Sequence, residues 1–197
     1  MPKVLILGAN GQLARHTTSA LLERADVFLT LYLRRAHRLN NPDPARVTVV
    51  EGDVLDIDTL TEAMAGHDVV YANLAGDLAS QAYAILAAMH ETGLKRLIFI
   101  SSMGIYGEVP GESYRSILDP YRDAAALIER SDLDYTILRP GWFTRKSGEN
   151  YRLTQKGEPF EGREVSLDSL SALIVELVTT PGWQVRRSLG VSTGRGQ

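Results

Sequence analysis

The chain has 197 residues, of which 44% are hydrophobic and 23% charged, and its formal net charge at pH 7 is −3. This length and composition are typical of one globular domain of ordinary size. The small negative charge argues against general binding to nucleic acid or to an anionic membrane surface. The sequence contains no cysteine, which excludes disulfides, thiolate metal sites and cysteine nucleophiles.

No apolar segment approaches the roughly 20 residues that span a bilayer. The first predicted strand begins close to Met1, which leaves no room for a signal peptide ahead of it. We therefore expect a cytoplasmic protein that binds a small-molecule substrate, with a second copy of the chain or another protein as a further partner. The scattered positions of His16, His37, His67 and His90 lack metal-ligand spacing, so we predict no metal site.

Predicted strands and helices alternate along the chain. Because the strands are short and helices separate them, the pattern predicts a parallel sheet covered on both faces. Glycines and prolines make two segments, 104–119 and 139–164, loop-rich, and residues 193–197 read as a mobile tail. The predicted strands are 4–7, 27–33, 47–50, 68–74, 96–101 and 135–138, and the predicted helices are 12–24, 57–65, 80–92, 120–131 and 167–180.

The passage from the first strand to the first helix is the most informative segment. Gly8 ends an apolar run, Gly11 follows three residues later, and Ala14 three after that. In a dinucleotide site, the first glycine permits a tight turn, the second lets the pyrophosphate approach the backbone, and a small third residue lets helix and strand pack closely. The helix N-terminus then faces the anion. The alternative is a tight turn that binds nothing.

The residues after the second predicted strand bear on which dinucleotide is bound. An acidic residue there binds the 2′-hydroxyl of NAD, whereas arginine accommodates the 2′-phosphate of NADP. This sequence has Arg34 and Arg35 there and no acid. A guanidinium can bind phosphate through two parallel hydrogen bonds. The pair favours NADP over NAD, and the alternative is a solvated basic loop.

Two further strand ends supply candidate cofactor residues. Asp53 and the backbone amide of Val54 follow the third strand, where they could read the adenine edge; alternatively, Asp53 only caps a turn. Leu74, Ala75 and Gly76 follow the fourth strand, and the small residues would let the cofactor pass close to the backbone. The alternative here is a plain turn after a buried strand.

The candidate catalytic residues are Ser101, Ser102 and Tyr121. A serine at the end of the fifth strand could bond a substrate carbonyl or hydroxyl beside the nicotinamide. Tyr121 is a candidate proton donor, but a free tyrosine has a pKa of about 10 and needs a nearby cation to act near neutral pH. Ala125 occupies the position one helical turn on, where a lysine would sit. This favours a packing or substrate-shaping role for Tyr121.

Pro140 stiffens the exit from the sixth strand, which leads from Arg139 to Trp142 and Phe143. Either aromatic ring could cover the nicotinamide, because the carboxyl end of a parallel strand points to the ligand. The alternative is that both rings belong to the core or its rim.

In order and spacing, these motifs resemble the atypical short-chain dehydrogenase/reductase families, specifically the NAD(P)H-binding, NmrA-like and flavin-reductase-like group. The similarity covers nearly the whole chain. It implies a single NAD(P)-binding domain over 1–197, with an α/β fold: a Rossmann-type doubly wound parallel sheet, helices on both faces and a small C-terminal substrate-side extension. The matching segments are 8–14, Arg34, 52–56, 101–107, 133–141 and 165–170.

The resemblance also implies site residues. It places Ser101 and Pro140 at the nicotinamide end. The implied cofactor contacts are Gly8, Asn10, Gly11, Gln12, Leu13, Arg34, Asp53 and the region of Ala75.

Extended members of these families carry Tyr-x-x-x-Lys, which Tyr121 and Ala125 do not reproduce. Some atypical members that lack the pair reduce flavins, quinones or tetrapyrroles by direct hydride transfer, and others sense the nucleotide redox state. The resemblance therefore implies an NADPH-dependent reductase of a small planar acceptor or, alternatively, an NADP(H)-binding sensor without turnover. The missing lysine and the short C-terminal region argue against a third reading, epimerase or dehydratase chemistry on a nucleotide sugar.

Overall fold

The computed structural model describes residues 1–193. Within them lie ten strands, five α-helices and two short 3₁₀ helices, Ala36–Arg38 and Ser116–Leu118. The strands are β1 (Lys3–Leu7), β2 (Phe28–Leu33), β3 (Val47–Glu51), β4 (Val69–Ala72), β5 (Arg96–Ile100), β6 (Asp134–Pro140), β7 (Trp142–Thr144), β8 (Arg152–Thr154), β9 (Glu164–Ser166) and β10 (Arg187–Ser192). The α-helices are α1 (Gln12–Arg24), α2 (Ile57–Met64), α3 (Leu78–Thr92), α4 (Asp119–Glu129) and α5 (Leu167–Thr179).

Eight strands form one sheet in the order β3-β2-β1-β4-β5-β6-β10-β8. Every neighbouring pair is parallel except β10 and β8, and β7 with β9 forms a separate parallel pair. The chain builds outward from β1 in both directions, so the strand order reverses between β1 and β4. Ligands of doubly wound sheets bind at such a switch point, beyond the carboxyl ends of the strands. The predicted fold class is confirmed.

The sheet separates two hydrophobic layers. Helices α1 and α5 pack together on one face, and α2, α3 and α4 pack in series on the other. Because both faces are covered, the central strands are continuous apolar runs rather than alternating ones. All of Val4–Leu7 is buried on this account.

Side-chain caps begin three of the helices. Asp56, Asp77 and Ser166 each accept a backbone N–H from the first turn of α2, α3 and α5. Helix α1 differs, because its N-cap residue Gly11 has no side-chain acceptor and its first turn contains no acidic residue. The first N–H groups of α1 are therefore left available to an anion.

The C-terminal third departs most from the sequence prediction. The segment 139–164 is not simply loop: it contains β7, β8 and β9, and β6 runs on through Pro140. The predictions also miss β10, which inserts between β6 and β8. Three-residue strands are too short to show alternation, and Gly190 and the serines of β10 weaken its strand signal.

The predicted mobile tail, 193–197, begins at a residue that the structure fixes. Thr193 donates its N–H to the Glu164 carbonyl at 2.8 Å, and its hydroxyl accepts the Ser166 N–H at 2.9 Å. The prediction is therefore wrong for Thr193. Residues 194–197 lie outside the described part of the chain.

A buried ion pair fixes the loop after β5 to the sheet. Arg139 on β6 donates to the Glu108 carboxylate at 2.6 Å, and their side chains are 0% and 5% exposed. The same guanidinium donates to the hydroxyl and the carbonyl of Ser188 on β10, both at 3.1 Å. Glu108 also accepts the N–H groups of Gly104 and Tyr106, each at 2.9 Å. Arg139 is thus part of a strand and of the core, not of a loop that leaves the sheet.

We predict that Glu108→Gln lowers the free energy of unfolding at pH 7 by about 3–5 kcal/mol, because Arg139 keeps a buried charge without its partner. Burial raises the pKa of Glu108, but backbone N–H donors and Arg139 outweigh it, so the pKa lies below its usual 4.5. The stabilisation is present above that value and is lost as pH falls through the folded pKa. In urea denaturation, the free energies of unfolding of the unmodified protein and of Glu108→Gln should therefore become more similar as the pH falls.

Glu161→Gln is the matched control, because it removes the exposed ion pair with Arg152. This change should cost less than about 1 kcal/mol at pH 7. Equal losses in the two variants would contradict the role given to the buried pair.

Candidate cofactor site

Gly8 forms the turn that leads from β1 towards α1. Its φ is +73°, a conformation that residues with a side chain rarely adopt. Its N–H donates to the Tyr32 carbonyl at 3.1 Å, and its own carbonyl accepts the Gly11 N–H at 3.0 Å. A Cβ on Gly8 would lie 2.1 Å from the Asn73 carbonyl oxygen. Conformation and space therefore both require glycine here.

At Gly11 the backbone conformation does not favour glycine, because its φ of −64° suits any residue. A Cβ there would lie 2.6 Å from Nδ2 of Asn73, so the asparagine side chain lies directly against the turn. Sequence reasoning gave Asn73 no role. Its position directly after β4, the neighbour of β1, was the signal that could have found it.

A cavity of about 410 Å³ opens in front of this turn, at the carboxyl ends of β1 to β4. The structure brings together there nine of the predicted cofactor residues: Gly8, Asn10, Gly11, Arg34, Arg35, Asp53, Val54, Leu74 and Ala75. The lining also includes residues that sequence reasoning missed: Tyr32, Leu33, Arg38, Gly52, Leu55, Asn73 and Gln81.

One wall of the cavity is strongly basic. Arg34 and Arg35 are joined there by Arg38, the last residue of a 3₁₀ turn that begins at Ala36. The Glu51 carboxylate accepts the Ala36 N–H at 2.9 Å, which fixes the start of that turn. Three guanidinium groups at the end of β2 can surround a phosphate. The spacing of Arg38 from the arginine pair, about one turn, was the only sequence signal for it.

Tyr32 supports the cavity beneath Gly52 and Asp53. Its hydroxyl donates to the Asp53 carbonyl at 3.0 Å, and a Cβ on Gly52 would lie 2.2 Å from that hydroxyl. Burial, with the nearby carboxylates of Asp56 and Asp53, raises the pKa of Tyr32 to about 12. The phenol therefore remains a hydrogen-bond donor near neutral pH.

Asp53 has the turn-capping role that the sequence offered as one alternative, and it also lies at the cavity. Its carboxylate accepts the Leu55 N–H at 2.9 Å, which is the turn-capping role. The residue also lines the cavity. An aspartate that is fixed by its own turn can present the rest of its carboxylate to a ligand.

The remaining predicted cofactor residues do not line this cavity. Leu13 buries its side chain in the core, so only its backbone N–H faces the turn. Pro140 is buried and its carbonyl accepts the Met103 N–H at 3.2 Å, while Trp142 is 60% exposed on β7. The full set outside the lining is Gln12, Leu13, Gly76, Pro140 and Trp142.

The three candidate catalytic residues occupy different environments. Ser101 is 5% exposed, and its hydroxyl has no hydrogen-bond partner within residues 1–193. The Ser102 hydroxyl donates to the Met103 carbonyl at 3.0 Å. Tyr121 packs half-buried on α4 against the layer of helices, and Ala125, one turn on, is 1% exposed. Of the three, Ser101 is the one whose hydroxyl is both buried and without a partner among residues 1–193.

Within residues 1–193 there is no group of three or more His, Cys, Asp or Glu side chains that could hold a metal ion. In that same range, no helix combines the length and the apolar character needed to cross a membrane.

Comparison with known proteins decides the family. The model of the NAD(P)H-binding family matches residues 8–181. The chain belongs to the NAD(P)H-binding family. The resemblance to atypical short-chain dehydrogenases/reductases, a group of NAD(P)H-binding oxidoreductases, is confirmed.

Similar solved structures cover almost the whole chain. A Rossmann-fold NAD(P)-binding family protein from Shigella flexneri is 40% identical with a TM-score of 0.86, over 100% of this chain and 98% of that one. A short-chain dehydrogenase/reductase from Veillonella parvula in complex with NADP is 29% identical with a TM-score of 0.90, over 98% and 95%. An uncharacterised sugar epimerase, YhfK from Bacillus subtilis, is 28% identical over 74% of each chain.

Gly8→Ala and Gly66→Ala form a matched pair that tests the turn. Both glycines have positive φ, but a Cβ on Gly66 would meet nothing within 4 Å. We predict that Gly66→Ala costs about 1 kcal/mol of stability from backbone strain alone. Gly8→Ala should cost about 3 kcal/mol or more, because the clash with Asn73 adds to the strain. Urea denaturation measures both, and similar losses would contradict the close approach at Gly8.

Proposed function

We propose that the protein is an NADPH-dependent reductase that transfers hydride to a small planar acceptor such as a quinone or flavin. The observation that carries the proposal is the cavity at the glycine turn, where three arginines face the uncapped N-terminus of α1. The NADP found in the Veillonella parvula relative supports the choice of cofactor.

The residues present fit an NADP molecule. The free N–H groups of Gln12 and Leu13 and the positive end of α1 would hold the pyrophosphate. Without side chains, Gly8 and Gly11 let the turn pack closely against Asn73 and would let a phosphate approach the backbone. Arg34, with its arginine neighbours, would bind the 2′-phosphate through charge-assisted hydrogen bonds. No acidic residue follows β2 to favour the 2′-hydroxyl of NAD instead.

Ser101 supplies the polar group at the reacting end. NADPH, when bound, provides the hydride. A buried hydroxyl without a partner costs about 1–3 kcal/mol of stability. A ligand carbonyl or amide that forms a hydrogen bond with the Ser101 hydroxyl would remove that cost, which favours binding. Its place at the carboxyl end of β5 is where such a ligand would lie. Ser101 therefore orients the reacting groups, and orientation alone can contribute several kcal/mol.

Tyr121 lacks the neighbouring cation that would make it an effective proton donor, which favours planar acceptors. Ala125 is buried between helices, so no cation lies one turn beyond Tyr121 to lower the pKa of that phenol. A delocalised ring such as a quinone or flavin can take hydride and then receive its proton from water. Trp142 and Phe143, 60% and 42% exposed on β7, offer flat apolar surface for such a ring.

A sensor that binds NADP(H) without turnover is the second candidate. It is favoured by the absence of the lysine after Tyr121 and by the Ser102 hydroxyl, which is already bonded to the backbone. Epimerase chemistry, which the name of the Bacillus subtilis relative suggests, is less well supported, because the same missing lysine removes the usual proton shuttle.

The first test mixes the purified protein with NADPH and a panel of flavins and quinones and follows the loss of NADPH absorbance. The proposal predicts turnover well above the rate without protein. It also predicts loss of turnover in Gly11→Val, whose side chain would collide with Asn73 and distort the turn proposed to hold the pyrophosphate. Tight NADPH binding with no turnover across the panel would instead support the sensor.

Arg34→Asp tests the 2′-phosphate assignment. We predict that this change weakens NADPH binding by at least about tenfold while NADH binding changes little, because it replaces a charge-assisted bond with repulsion. Arg130→Gln, an exposed position at the end of α4, should change neither affinity. Equal effects of Arg34→Asp on both nucleotides, measured by calorimetry, would overturn the assignment.

Ser101→Ala separates a site role from a structural one. The hydroxyl bonds no described residue, so the free energy of unfolding should stay within about 1 kcal/mol. We predict a fall in kcat of about tenfold with NADPH affinity unchanged. Ser102→Ala removes a hydroxyl that is already bonded to the backbone and should affect kcat less. A normal kcat in Ser101→Ala would contradict the role proposed for it.

A further inference from the structure

A second cavity, of about 460 Å³, lies on the other side of the N-terminal turn of α1. It is bounded by the first turns of α1, by the segment that follows β7, and by the start of α5. Of its lining residues, the nucleotide fit described above uses only the backbone of Gln12. Its lining residues are Gln12, Arg15, His16, Ser19, Arg145, Lys146, Leu167 and Asp168.

The lining carries an excess of positive charge. Arg15, Arg145 and Lys146 face one carboxylate, that of Asp168, although the whole chain has a net charge of −3. Lys146 pairs with Glu164 at 2.5 Å at the exposed rim. Within residues 1–193, neither Arg15 nor Arg145 forms an ion pair. Two guanidinium groups therefore remain available to an anion.

Asp168, the one acidic residue in the lining, already forms hydrogen bonds within the protein. The Asp168 carboxylate bonds Nε2 of His16 at 2.7 Å and accepts the Gly148 N–H at 3.4 Å. Because His16 lies on α1 and Asp168 on α5, this bond ties the two helices together beside the cavity. A buried hydrogen bond of 3.1 Å between the Thr17 and Ser171 hydroxyls joins the same two helices. Arg15 thus projects from a rigid wall.

The opposite wall connects the cavity to the proposed reacting end. Arg145 follows Phe143 by two residues, a separation of about 7 Å in extended chain. Pairing of Phe143 with Val165 and of Thr144 with Ser166 fixes the strand just before Arg145. A ring that lies against the aromatic residues of β7 therefore has cationic groups within reach of a short side arm.

We propose that this cavity binds a carboxylate or phosphate group of the acceptor, so that the natural acceptor is a planar anion. The inference rests on the proposed reductase function and names its substrate class. Guanidinium groups suit both anions, because they donate two parallel hydrogen bonds. The cofactor pyrophosphate has the same chemistry and is the other source that a test must distinguish.

FMN and riboflavin provide the test, because they share one ring system and differ by a phosphate. Flavin fluorescence anisotropy measures their binding to the protein saturated with NADP⁺. We predict that FMN binds at least about fivefold more tightly than riboflavin, as expected for an exposed charge-assisted contact. Arg145→Gln and Arg15→Gln should each reduce this preference, while Arg130→Gln, far from the cavity, should retain it. These positions are exposed, so the variants should fold.

Each alternative outcome contradicts the proposal in a different way. Equal binding of the two flavins, including equally undetectable binding, would show that no anion is recognised. A preference for FMN that persists in both cavity variants would place the anion elsewhere. Weaker NADPH binding in Arg145→Gln would assign the cavity to the cofactor. A clear FMN preference without turnover would contradict the reductase function but not the anion site.

Discussion

The close approach between Gly8 and the Asn73 carbonyl determines where the site can form. The carboxyl ends of β1 and β4 lie so near each other that a Cβ on Gly8 would be 2.1 Å from that oxygen. The chain must therefore turn at once with positive φ. Gly11 bonds back to Gly8, and α1 begins at the next residue, Gln12. This places the uncapped end of α1 over the switch point of the sheet. The cavities on both sides of that helix end depend on this one constraint.

Several arginines hold the fold together, and they differ from the arginines that line the two cavities. Arg46, Arg122 and Arg186 each donate to backbone carbonyls and hold loops in place, and buried Arg139 does so together with its carboxylate partner. The arginines at the two cavities are of the other kind: Arg34 and those near it line open space. In a chain of net charge −3, positive charge left unpaired beside an open helix N-terminus favours anionic ligands.

Local patterns were enough to predict the part of the site that local sequence builds. The turn from Gly8 to Gly11, the arginines after β2 and the acid after β3 each belong to one short segment, and the structure gathers them around one cavity. Residues whose role depends on a neighbouring strand were missed. Tyr32 matters because β2 and β3 bring it beneath Gly52, and Asn73 matters because β4 lies beside β1.

The same distinction explains the errors in the fold. The parallel sheet with helices on both faces follows from the alternation of strands and helices along the chain. Strand β10 is stabilised by pairing with β6 and β8, which are distant or very short, so its own sequence indicates little. Arg139 looks like an exposed exit residue until Glu108 and Ser188 are known to surround it. Long-range pairing, not local propensity, decides these features.

The most direct test of the central claim uses fragments of the cofactor. Calorimetric titration with 2′,5′-ADP and with 5′-AMP compares two ligands that differ only in the 2′-phosphate. If the arginine wall holds that phosphate, 2′,5′-ADP should bind at least about tenfold more tightly and should compete with NADPH. Equal affinities for the two fragments, or binding of 2′,5′-ADP that NADPH does not displace, would contradict the account.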